Sequence, residues 1–266
     1  MNERKVHEHG FVRLVDSMPR ENLDDSIVQA ARVSYGEGTA LSRSTEGLIR
    51  YLLRHWHTTP FEMVEFKFHL KMPIFVARQH LRHRMASVNE MSARYSVVPD
   101  EFFTPQGYRR QSTVNKQSSD GRIENSDELG RTIKTKTTEM FQMYTDALGQ
   151  GCCRELARCH LPQSTYTEFY WKINLHNLMH YLQLRMEPGA QEEIRDYAYA
   201  IYSLVQPLAP VTMRAFQDFR LGSMTLTRQE IILLRPTVTE EDVQRSELSP
   251  GEKREFLNKL KTLRFL

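Results

Sequence analysis

"EFKFHLKMPIFVARQHLRHRMASVNEMSARYS", residues 65–96, decides how this chain is read. Its opening residues alternate, with Phe66, Phe68, Leu70 and Met72 on one side and Glu65, Lys67, His69 and Lys71 on the other. Period-two alternation marks a half-buried strand. Pro73 ends it and suits the first position of a helix, where a missing N–H costs nothing. A helix from Pro73 puts Arg78, Arg82 and Met85 near one face, with Gln79 and His83 beside them at four-residue spacing. Beyond about Met85 the pattern turns extended: Glu90, Ser92, Arg94 and Ser96 alternate with Met91, Ala93, Tyr95 and Val97. Guanidinium groups match phosphate oxygens bidentately, hydroxyls complete such a shell, and a carboxylate accepts from a sugar hydroxyl or a ring N–H. The bland alternative is an exposed Glu90–Arg94 pair on a solvated helix, worth only about a few tenths of a kcal/mol. It leaves the other polar groups of the run unexplained.

Working outward, "GFVRLVDSM" at 10–18 is predicted as another strand, and residues 24–34 and 44–56 carry helical spacing. Residues 104–128 are polar and rich in Gly, Ser and Asn, which predicts a long loop. Helical patterns resume at about 129–149, 151–160, 164–186 and 190–206, and Pro207 and Pro210 precede another at 210–220. The tail holds "TRQEIILL" and "SPGEKREFLNKLKTL", the latter with Ser249 as N-cap and Pro250 in the first helical position. The expected fold is α+β: a central antiparallel or mixed sheet flanked by helices over residues 1–224, with a helical C-terminal extension over 225–266.

With 266 residues, 40% hydrophobic and 26% charged, the chain can bury a sizeable core. A net charge of +3 is too small for a nucleic-acid-binding stripe, so the local arginines point to a small anionic ligand. The N-terminus MNERKVHEHG lacks the apolar core of a signal peptide, and no apolar run is long enough to span a membrane. Cys152, Cys153 and Cys159 form no disulfide framework. The expected location is the cytoplasm, with no nucleic acid, membrane or metal as partner.

Arg82-His83-Arg84 followed by Ser92 reproduces the RHR-x7-S signature of the flavin-dependent thymidylate synthases. The flanks "PIFVARQ" and "NE-x-S-x-RYS", "HWHTTPFE" at 55–62, and "ARCHLPQSTYTEFYWKINLHNLMHYLQLR" and "GAQEEIR" within 157–195 resemble that family too. The resemblance covers most of residues 10–220. It implies methylation of dUMP to dTMP, with methylenetetrahydrofolate as one-carbon donor, FAD as hydride source and NADPH recharging the flavin. It also implies a homotetramer with active sites where subunits meet. Carried over by position, Gln79, His80, Leu81, Arg82, Glu90, Met91, Ser92, Ala93, Arg94, Arg158 and Arg185 would surround the nucleotide. Thr59, Arg82, His83, Arg84, Asn89, Glu90, Asn174, Leu175, His176 and His180 would hold FAD, and His57 would stand near flavin and pyrimidine. Arg185 is expected to activate the base, its guanidinium favouring the deprotonated ring that attacks the one-carbon unit. Ser92 is expected to position the nucleotide, because no base is evident to activate it.

His176 and His180, at i,i+4, could also form a metal pair or be satisfied core or surface histidines; the family can carry Arg or Asn there. No acidic residue follows as in a metalloprotease helix, and no third ligand is visible. "HEHG" at 7–10 is expected to be a solvated start of a strand. Cys159 beside His160 resembles a nucleophilic pair, but adjacent residues rarely face each other, and the spacing predicts a buried structural thiol. Two rival functions, RNA binding through the arginines and metal-dependent nucleotide hydrolysis, predict steep salt dependence and chelator sensitivity respectively.

Overall fold

Alternation builds the sheet as expected at its centre. In the computed structural model, which describes residues 2–35, 44–113, 115–230 and 238–264, β1 (Glu3–Val6) and β2 (Gly10–Met18) lead into β3 (Glu65–Pro73). Phe66, Phe68, Leu70 and Met72 of β3 are all fully buried, so one face of the strand is core and the other carries Lys67 and His69. Two further strands, β4 (Ser87–Glu90) and, later in the chain, β7 (Tyr166–Asn174), complete a wholly antiparallel sheet in the order β1-β2-β3-β7-β4. In register, Phe68 lies opposite Trp171 and Leu70 opposite Phe169.

Residues 166–174 correct the helix expected over 164–186. Phe169, Trp171 and Ile173 are buried while Tyr170 and Lys172 point outward, a strand pattern. Only the second half is helical, as α7 (Leu175–Arg185), and Asn174 caps it by accepting from the Asn177 N–H at 2.9 Å. The expected loop at 104–128 contains a two-stranded hairpin, β5 (Arg109–Gln111) and β6 (Ser119–Arg122). Residues 7–9 form the turn of the β1–β2 hairpin, with His7 at φ 57 tucked edge-on against Phe103.

Helices cover the apolar face. These are α1 (Leu23–Arg32), α2 (Thr45–Arg54), the short α3 (Thr59–Glu62) and α4 (Ile74–His80), then α7, α8 (Glu192–Val205) and α9 (Pro210–Phe216), the last continuing as a wider turn over Gln217–Leu221. Ser44 caps α2 by accepting from the Gly47 N–H. The long α5 (Ser126–Gly149) and the short α6 (Arg154–Ala157) form a second cluster around Val98, Phe141, Tyr144 and Ala157. Residues Gly222–Leu266 make a separate compact unit with α10 (Glu240–Arg245) and α11 (Pro250–Arg264). Ser249 does cap α11: its hydroxyl accepts from the Glu252 N–H, and the Glu252 carboxylate accepts from the Ser249 N–H. The second half of "TRQEIILL", residues 231–234, lies outside the described residues. No helix among the described residues is long and apolar enough to cross a membrane.

Asp24 staples α9 to α1. Its carboxylate, nearly buried, accepts from the Val211 and Thr212 N–H groups at 2.9 Å and from the Thr212 hydroxyl at 2.6 Å. Replacing it leaves buried donors without partners, each costing roughly 1–3 kcal/mol. Asp24→Ala is expected to lower unfolding free energy by about 2–3 kcal/mol in a urea titration; a loss within experimental error would show the staple to be idle.

Candidate active site

The β3–α4 junction places the arginine-rich run, but its helix is shorter than the spacing predicts. Regular α-helix ends at His80, and the chain leaves through tight turns, Arg82 N–H to Gln79 O at 3.3 Å and His83 N–H to His80 O at 3.2 Å. Arg78, Arg82 and Met85 therefore share no helical face, because the chain must turn to pair β4 with β7. Arg82 and Arg84 stand exposed. His80 points into the core, its ring packed against Trp171 at 4.3 Å and its Nδ1 3.1 Å from the Tyr181 hydroxyl. Leu81 packs on the same core.

At the centre lies a contact between residues far apart in sequence. Arg185, at the end of α7, donates from Nε to His83 Nε2 at 3.0 Å, and its Nη2 lies 3.4 Å from the Gln79 carbonyl. Burial, with the Arg185 charge and His180 beside it, holds His83 down at about 4, so near neutral pH its imidazole is uncharged and can accept. Full burial holds His80 lower still, at about 3. Both values fall below the ordinary 6.5, so the unfolded chain binds more protons than the folded one between 6.5 and about 4. Their contribution to stability is complete above pH 6.5 and is lost as pH falls through that window. Melting temperature should drop on acidification from about pH 6.5 to 4, less steeply in His83→Gln; identical slopes would contradict the assignment.

The β4 edge supplies the second group. Glu90 accepts a hydrogen bond from the buried Thr167 hydroxyl, and the Met91 N–H donates to Glu168 O at 2.9 Å. The extended alternation predicted to continue from there does not: Tyr95 and Ser96 N–H both bond Ser92 O, closing a turn. Inside it the Ser92 hydroxyl accepts from the Arg94 N–H at 3.3 Å. Arg94 pairs with Glu155 of α6 at 3.0 Å, and half-buried Arg158 follows directly after that helix. Ala93 packs on the second cluster, and Asn89 is exposed on the strand. Cys159 is exposed, not buried, and donates weakly to Glu155 O.

His57 and Thr59 line a cavity of about 1020 Å³ with Tyr51, Trp56 and Met63. A smaller one, about 50 Å³, brings His57 together with His176, His180 and Gln183. Burial keeps His176 below its usual range. Asn174 is engaged as the α7 cap and Leu175 is fully buried, its N–H bonded to Val64 O at 2.8 Å. Arg82, Arg84, Asn89 and Glu90 line neither cavity. Helical spacing over 44–56 puts Trp56 on one face with Leu48, Tyr51 and Leu52, but the helix ends at Arg54. The Trp56 backbone is left-handed (φ 60), its ring is largely exposed, and the Arg220 guanidinium stacks 3.6 Å from the ring centroid. The available signal was a large aromatic between two histidines in "HWH". Among the described residues no three His, Cys, Asp or Glu side chains gather as a metal site.

This sheet, with guanidinium, imidazole and carboxylate groups along one edge and at its helix ends, matches a family of nucleotide-modifying enzymes: residues 13–211 fit the model described as thymidylate synthase complementing protein. A flavin-dependent thymidylate synthase from Dictyostelium discoideum is 52% identical over 241 residues, 88% of this chain and 80% of that protein. One from Thermus thermophilus is 50% identical over 246 residues, 92% of this chain and 90% of that protein. The solved structure of PolB from Streptomyces cacaoi, a UMP/dUMP methylase bound with 5-Br dUMP, aligns with a TM-score of 0.72 at 34% identity, covering 82% of this chain and 99% of that one. The chain belongs to the flavin-dependent thymidylate synthase family, and it is an enzyme of the methyltransferase class.

Proposed function

We propose that this enzyme methylates dUMP to dTMP, taking the one-carbon unit from methylenetetrahydrofolate and reducing power from FAD recharged by NADPH. The observation that carries the reading is the Arg185–His83 bond. It anchors one edge of a half-buried guanidinium through a neutral imidazole, and Nη1 has no protein partner among the described residues. A guanidinium so held can stabilise negative charge developing on a pyrimidine without reorganising. Gln79, Arg82, Glu90 to Arg94 and Arg158 would bind the nucleotide, Ser92 through its hydroxyl and the turn around it.

The residues suit a flavin. Flat groups, exposed at Trp56, His57 and His180 and half-buried at His176, border clefts that fit an aromatic ring system, and the exposed cations of Arg82 and Arg84 fit a pyrophosphate. Thr59, His83, Asn89 and Glu90 complete this set, with Asn174 and Leu175 at the start of α7. When bound, FAD supplies the hydride; the protein binds, orients and excludes water. That the His57 cavity and the Arg82–Glu90 edge are separate surfaces of one chain supports a homotetramer in which subunits share each site. Cytoplasmic location fits a nucleotide-synthesising enzyme with free thiols.

The purified protein should carry or take up FAD, and the reduced protein should oxidise on adding dUMP and methylenetetrahydrofolate, with dTMP formed. A protein that binds dUMP but never acquires the flavin spectrum would overturn the proposal.

A further inference from the structure

The 104–128 segment acquires a role through Arg109, at the start of β5. Its Nε donates to the Ser119 hydroxyl at 3.0 Å, tying the two hairpin strands together. Its guanidinium reaches across to α8, donating from Nη2 to both oxygens of Glu193 at 2.7 and 3.0 Å and from Nη1 to Glu192 at 2.9 Å. Glu193 is 4% exposed, one of few buried carboxylates among the described residues. The Gln191 Nε2 donates to Glu193 Oε2 at 2.8 Å, and the Gln191 Oε1 accepts from the Gln79 Nε2. Gln79, in turn, is the residue whose backbone carbonyl faces Arg185.

Such a chain has a direction. An ionised carboxylate only accepts, so the amide beside it must present its NH2 group. Gln191 is thereby left with its oxygen toward Gln79, and Gln79 must answer with its own NH2 group. Reversing either amide would set oxygen against oxygen or NH2 against NH2, leaving groups unpaired in a partly buried place. The Gln79 Oε1 is the free end, with no protein partner among the described residues. Burial pushes the Glu193 carboxyl up, but hydrogen bonds from Arg109 and Gln191 outweigh it and keep the group below its ordinary range. A cavity of about 1040 Å³ runs along this chain, with Arg109, Gln191 and Glu193 in its wall.

We propose that Glu193, held by Arg109 of the hairpin, sets the amide polarity of Gln191 and Gln79, so that Gln79 meets the nucleotide as a hydrogen-bond acceptor matched to a sugar hydroxyl or ring N–H. Arg109, Gln191 and Glu193 are positioning residues. The inference rests on the reading of Gln79 as a nucleotide contact.

Equilibrium binding of dUMP to the flavin-loaded full chain tests it, with flavin content and melting temperature as controls. Glu193→Gln, nearly isosteric, should weaken dUMP binding by about fivefold to tenfold, the net worth of one hydrogen bond, with flavin retained and KM raised more than kcat is lowered. Gln191→Met, which cuts the chain at its middle and leaves the Arg109–Glu193 pair in place, should do the same. Gln79→Glu should weaken binding as well, because its carboxylate faces the Gln191 oxygen. Combined with Glu193→Gln it should cost less than the product of the two separate losses, since Gln191 can then turn over and donate to position 79. Losses that multiply, or wild-type affinity in folded Glu193→Gln and Gln191→Met, overturn the relay. If Gln79→Ala loses affinity in that case, the contact stands and only the relay fails; wild-type affinity in Gln79→Ala removes the contact and the relay with it.

Discussion

Arg185→Ala is expected to lower turnover by about 10²–10³-fold while the protein keeps its flavin and most of its stability, the range seen when one preorganised donor to a developing anion is removed. The geometry explains the selectivity. Arg185 ends α7, so cutting it back removes no helical backbone bond, and the core residues Leu178, Tyr181 and Leu182 stay in place. What disappears is a charge held at 3.0 Å by His83, a neutral acceptor. Arg185→Lys should recover little, because an ammonium cannot bond His83 through one edge and reach a ring through the other. Single-turnover formation of dTMP separates this from a binding defect. Loss of FAD in Arg185→Ala, with dUMP chemistry intact on reconstitution, would assign the guanidinium to the cofactor instead.

Trp171→Ala should be the most damaging single change to the fold, at about 3–5 kcal/mol by the usual cost of emptying a large aromatic site in a core. The indole has no exposed surface and sits between Phe68 at 5.9 Å, Tyr181 at 5.2 Å and His80 at 4.3 Å. It packs strand on strand and carries the α4 end that leads to His83. Its Nε1 is buried without a hydrogen-bond partner among the described residues. Trp171→Phe therefore removes an unsatisfied donor along with some volume, and should cost clearly less than the alanine change. Urea midpoints of the two variants decide the matter; equal losses would show that the retained ring volume contributes nothing and that emptying the site does not set the cost.

The same residue shows where sequence reading worked and where it failed. β2 and β3 are legible because strict alternation over "GFVRLVDSM" and "EFKFHLKM" matches one buried face per strand. β7 carries an equally clear alternation of Phe169, Trp171 and Ile173 against Glu168, Tyr170 and Lys172, but it joins α7 with no Gly or Pro between them. The apolar spacing of α7 therefore runs on backwards through it and predicts one helix over 164–186. Asn174, a preferred N-cap residue, was the local sign of the boundary. The early end of α4 had no local sign, because pairing of β4 with β7 imposes it from a distance. The β5–β6 hairpin is polar on both faces and nearly all exposed, so no periodicity marks it.

Much the same holds for the site. Polar groups crowded between 78 and 94 lead, from chemistry alone, to the expectation of an anion-binding run. The meeting of Arg185 with His83, and of Gln79 with Gln191, joins residues more than a hundred positions apart, and no local pattern reports it. The resemblance to a family implies a role for Arg185, whereas only the folded chain brings Gln191, Glu193 and Arg109 into line with Gln79.

The central claim is that the guanidinium of Arg185, steadied by His83, faces the pyrimidine. A crystal structure of the flavin-loaded protein with 5-bromo-dUMP tests it most directly. The account predicts Arg185 within hydrogen-bond distance of the base while its Nε still bonds His83. A complex in which this side chain turns from the nucleotide, with the base read by other groups, would contradict it.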